Sequence, residues 1–96
     1  MFTILRVNVV SSDEGFSVEV LQRVGIEYAE GDKTMFVDSE ILAPGYGIAV
    51  SKKSIQAWRP PHDAEKVTAE DRDRILDNIR RAIEFQGEKI EVVGLA

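Results

Sequence analysis

The sequence predicts an α+β fold: an antiparallel β-meander of about five strands, one long C-terminal amphipathic helix packed on the sheet, and a short final strand. Two observations predict it. Over most of residues 2–58, apolar side chains recur with a period of two, and short turn clusters separate the runs, as in half-buried strands joined by hairpins. Between Thr68 and Gly87 the period becomes helical, with Ile75, Ile79 and Ile83 spaced four apart. A sheet with one apolar face and a helix with one apolar stripe bury these surfaces against each other.

Residues 2–10 read as the first strand, with Thr3, Leu5, Val7 and Val9 alternating with Ile4, Arg6 and Asn8. Residues 11–15 form a turn cluster closed by Gly15. In the second strand, residues 16–24, Phe16, Val18 and Val20 share one side and Ser17 and Glu19 the other. Gly25 marks a bulge, and Ile26 and Tyr28 flank Glu27 in the third strand. A turn over residues 30–33 leads to the fourth strand, residues 34–41, which Pro44 and Gly45 end. Tyr46, Ile48 and Val50 start a fifth, and residues 51–53 break it before Ile55, Ala57 and Trp58.

Residues 59–67 are a polar connection stiffened by Pro60 and Pro61. Thr68 is a good N-cap, and Glu70 and Asp71 put negative charge where the helix dipole favours it. Leu76 and Ala82 widen the isoleucine stripe, and Gly87 is placed to end the helix. Ile90, Val92 and Val93 suggest the final strand. A meander has open edges, and pairing of one edge in a homodimer is one way to cover it.

At 96 residues the chain has room for a single α+β domain with one core. It has no cysteine and one histidine, His62, which excludes disulfide, thiolate-zinc, iron–sulfur, cysteine-nucleophile and His-rich metal chemistry. No cofactor is implied. Seventeen acids against 12 bases give a net charge of −5, which disfavours nucleic acid as a partner. No segment reads as a signal peptide or a membrane span, so a cytoplasmic location without membrane association is expected.

Few residues point to chemistry. Asp38 and Glu40, with Glu27 or Glu30 across a hairpin, offer oxygen ligands, but a solvated strand face explains them more simply. Histidine is the side-chain type most often used as a general base and His62 stands beside Asp63, yet no nucleophile accompanies it and an exposed loop histidine suffices. The glycines around Tyr46 match no phosphate-binding motif. The most distinctive segment is Trp58-Arg59-Pro60-Pro61. Trp and Arg are enriched in binding hot spots, although a lone Trp in a small chain more often completes the core. Tyr46, Trp58, Arg59 and His62 are therefore the candidate partner-binding residues.

The run Ser54-Ile55-Gln56-Ala57-Trp58, then Pro60-Pro61, an Asp-containing linker, and a helix ending at Gly87 before Ile90-Glu91-Val92 resembles the immunity protein 74 type of bacterial polymorphic-toxin immunity proteins. The earlier Ile-Glu-Tyr-Ala-Glu-Gly hairpin fits the same pattern, and the likeness spans residues 16–93. It implies a non-catalytic cytoplasmic protein that masks a cognate toxin, and it transfers no catalytic residues. Residues 1–15 lie outside it. The alternatives are a self-associating module of a larger bacterial assembly and, behind it, a small hydrolase working around His62.

Overall fold

The alternating runs become strands and the isoleucine stripe becomes a helix. The computed structural model describes residues 1–6, 8–21, 25–42 and 47–93. Strands β1 (Phe2–Arg6), β2 (Val9–Ser12), β3 (Phe16–Leu21), β4 (Gly25–Glu30) and β5 (Lys33–Val37) make an antiparallel sheet in chain order. Strands β6 (Ser39–Ile41), β7 (Ile48–Ser51) and β8 (Ile90–Val93) make a second sheet, with β7 antiparallel to β6 and parallel to β8. Helix α1 (Ala69–Phe85) packs on the five-stranded sheet.

The predicted fold class holds, but the strands differ in extent. Residues 2–10 form two strands instead of one. Asn8 takes a left-handed φ of 69°, which asparagine tolerates better than most residues, and the chain reverses there. Pairing steps from Ile4↔Val10 to Arg6↔Val9, so Leu5 is a bulge. The second run ends at Leu21, residues 22–24 lie outside the described residues, and Gly25 opens β4 opposite Leu21 instead of bulging. The fourth run divides at Asp38. Its N–H donates to Ser54 Oγ (2.9 Å) and its C=O accepts from Ser51 N–H (2.9 Å), which carries the chain from one sheet to the other. The expected break after β7 is a 3-10 turn over Lys52–Ser54.

Val10, Val18, Tyr28 and Met35 stand in register across β2 to β5 and face the helix. Ile75, Ile79 and Ile83 are fully buried against them, and Ile48 and Val50 of the second sheet close the core. Burying each such aliphatic side chain contributes ~1.5–3 kcal/mol. The helix crosses the strands from the β4 side, where Arg74 binds Glu30, to the β1 side. Arg72 Nε donates to Ile55 C=O (3.2 Å) near its start, and the Phe85 ring lies 5.3 Å from that of Phe2 at its end. No helix among the described residues is long and apolar enough to cross a membrane.

Thr68 caps the helix as expected. Thr68 Oγ1 accepts from Asp71 N–H (3.1 Å), and Asp71 Oδ2 accepts from Thr68 N–H (3.0 Å), a reciprocal capping box. The Thr68 backbone N–H, aided by Arg74, holds the Asp71 carboxyl at about 2. The unfolded carboxyl therefore binds its proton at a higher pH than the folded one. The stabilisation is fully present above the ordinary carboxylate range and is lost as pH falls towards about 2. Thr68→Ala should cost ~1 kcal/mol in urea unfolding at neutral pH. Asp71→Asn should remove part of the acid-dependent loss of stability between about pH 4 and pH 2.

Candidate partner-binding surface

The connection between β7 and α1 is apolar at both ends and polar in the middle, and that pattern seats it. Ile55, Trp58 and Val67 enter the core, while Arg59 to Pro61 and Asp63 to Lys66 stay exposed. Ala57 bridges to Lys66, and Arg59 N–H donates to Thr34 C=O of β5 (2.8 Å). Trp58 lies beneath, its ring 6.3 Å from that of Tyr28, with Lys33 Nζ 5.6 Å above it.

Charged pairs fasten the loop to the β4–β5 hairpin. The Arg59 guanidinium makes a bidentate pair with the Glu27 carboxylate, Nη2 to Oε2 at 2.8 Å, which strengthens its hold on its proton. Lys33 Nζ is 2.6 Å from Glu65 Oε1. His62 Nδ1 is 2.9 Å from Glu65 Oε2, and Nε2 is 3.8 Å from Asp32 Oδ2. Lys33 first, then His62, hold the Glu65 carboxyl below its usual range. An ionised carboxylate only accepts, so a hydrogen bond across this pair takes its proton from the imidazole.

Beside the loop, an open groove of about 430 Å³ runs between α1 and the turns of the first sheet, lined by Glu14, Phe16, Glu30, Arg74, Asp77, Asn78 and Arg81. Its floor is a hydrogen-bond chain. Arg81 Nη2 donates to Asn78 Oδ1 (2.6 Å), Asn78 Nδ2 to Tyr28 OH (2.8 Å), and Tyr28 OH to Glu30 Oε1 (2.8 Å). Burial, above all, raises the Tyr28 phenol's pKa, so it remains a donor. Arg74 binds Glu30 through two nitrogens, and Arg81 binds Glu14 in the same way. The two arginines are thus held by carboxylates, and the groove keeps one acid in excess.

The sequence model of the immunity protein 74 family matches residues 17–93, about four-fifths of the chain. This chain belongs to the immunity protein 74 family. The matched span runs from β3 through β8 and contains the loop, most of the groove and the Trp58–Pro61 segment of this family member. No curated protein and no solved structure gives a significant match.

Of the four candidate residues, the fold brings three together. Trp58 is only 5% exposed and belongs to the core, beneath the loop that carries Arg59. Arg59 is exposed beside it and His62 is half-buried. Tyr46 lies outside the described residues. Asp38, Glu40, Glu27 and Glu30 do not converge: Glu27 is taken by Arg59 and Glu30 by Arg74, and no group able to hold a metal occurs among the described residues. The groove went unnoticed in the sequence. Its signal was Asn78, a polar residue on the buried helix stripe between Ile75 and Ile79.

Proposed function

We propose that this chain is a non-catalytic binding protein that neutralises a cognate protein toxin in the cytoplasm by covering it. Membership of the immunity protein 74 family over residues 17–93 carries the reading. The physical character of the surface supports it. A net charge of −5 accelerates encounter with a basic partner. The loop above Trp58 is pinned by the core and by ion pairs, so little ordering remains to be done on binding. Arg59 and His62 are its proposed contacts with the toxin, and Tyr46 is proposed as a further contact on its residue type alone. The ring nitrogens of His62 face the carboxylates of Glu65 and Asp32, an arrangement suited to holding a loop.

Co-expression tests the reading. Cells producing the toxin encoded beside this gene should grow when the chain is present, and Arg59→Glu should weaken protection while leaving the chain folded. No protection by folded chain, together with no binding to the purified toxin, would remove the proposal.

A further inference from the structure

Strand β1 forms one edge of the five-stranded sheet, and among the described residues no strand pairs with its outer side. Its backbone phase follows from two hydrogen bonds. Asp13 N–H donates to Met1 C=O (3.1 Å), and Val20 N–H to Asn8 C=O (2.9 Å). With the registers Thr3↔Ser11 and Val10↔Val18, these turn the backbone groups of Thr3 towards β2 and those of Phe2 and Ile4 outwards. The outward row is flanked by apolar side chains: Ile4 is 56% exposed and Leu5 63%, and Phe85, 48% exposed, packs against Phe2 with its ring tilted.

We infer that this edge pairs with the same edge of a second copy of the chain, antiparallel about a two-fold axis at Thr3. In that register Phe2 and Ile4 of one copy exchange backbone hydrogen bonds with Ile4 and Phe2 of the other, giving four N–H···O bonds. Thr3 faces its own counterpart in a non-hydrogen-bonded pair, a favourable cross-strand match, and Met1 opposes Leu5. Phe2, Ile4 and Phe85 of both copies merge into one apolar strip on the helix side of the sheet. The two sheets join into ten strands.

Charge selects a second copy as the occupant. The chain carries −5, yet residues 1–12, which contain both β1 and β2, include no Asp or Glu. Two copies of an acidic protein meet here without opposing carboxylates, whereas a basic partner is drawn to the acidic faces elsewhere. The register shift at Leu5 lies beyond the Phe2–Ile4 segment, so the four hydrogen bonds of the ladder fall within regularly paired strand.

Sedimentation equilibrium of the full chain at about 100 μM, a concentration suited to a weak interface, should give twice the 10.7 kDa chain mass. Ile4→Lys should give the monomer mass with unchanged helical circular dichroism. The chain has no cysteine, so Thr3→Cys supplies a register test that does not depend on that variant folding. Cα atoms in a non-hydrogen-bonded pair lie ~4.5 Å apart, within disulfide reach. Under mild oxidation Thr3→Cys should form a linked dimer at least tenfold faster than Asp73→Cys, placed on the exposed side of α1. A monomeric wild-type chain at that concentration, or equal linking rates for the two variants, would overturn the inference.

Discussion

Trp58→Ala lowers the stability of the chain by ~3–5 kcal/mol, the range for emptying a buried aromatic site. Only 5% of Trp58 is exposed, and its ring packs against Tyr28 beneath the loop. A chain of 96 residues has a total stability of roughly 5–14 kcal/mol, so this single truncation removes a large share of it. Its neighbour behaves differently. Arg59 is exposed and pairs with Glu27 in solvent, so Arg59→Ala should change stability by less than ~1 kcal/mol. Urea unfolding of both variants separates the two roles. A Trp58→Ala chain within ~1 kcal/mol of wild type would mean that the ring does not hold up this surface.

The second large effect is expected at Gly47, where β6 returns as β7. Gly47 has a φ of +88°, a region L residues rarely adopt, and its C=O accepts from Leu42 N–H (2.9 Å). A Cβ there would overlap the Lys89 carbonyl oxygen and lie 2.6 Å from its carbon, so it would meet backbone. The next residue, Ile48, donates to that same Lys89 carbonyl (2.9 Å), the bond that starts the parallel pairing of β7 with β8. Gly47→Ala should therefore cost ~3 kcal/mol or more and loosen β8. Gly15→Ala is the control. Gly15 also has a positive φ, but nothing lies within 4 Å of its would-be Cβ, so only the conformational cost of ~1 kcal/mol applies. Equal losses at the two positions would show that the Lys89 contact is unimportant. Amide exchange at Ile90–Val93 reads the loosening directly.

The helix was legible almost to the residue because its signals are local: Thr68 with Asp71 at one end, Gly87 at the other, and isoleucines four apart between them. Strand alternation was equally legible, whereas strand boundaries were not. The reversal at Asn8 has no glycine or proline to mark it, and asparagine's tolerance of the left-handed region was its only cue. The division at Asp38 depends on hydrogen bonds to Ser51 and Ser54, residues distant in sequence. The parallel pairing of β7 with β8 spans a loop and a helix, so no short-range pattern announces it. The surface divides in the same way. That Trp58 completes the core could be argued from its rarity, but the Arg59–Glu27 pair joins residues 32 apart and the Arg81–Glu14 pair residues 67 apart. Only folding brings such charges together.

Titrating the purified chain against a fixed amount of the cognate toxin that the proposed function calls for, sought first in the neighbouring gene, separates masking from chemistry most directly. Masking predicts that toxin activity falls linearly to an end point at a whole-number ratio of chain to toxin, and returns when the complex is taken apart. Loss of activity that grows with time at a small fraction of that ratio, and persists after separation, would contradict it.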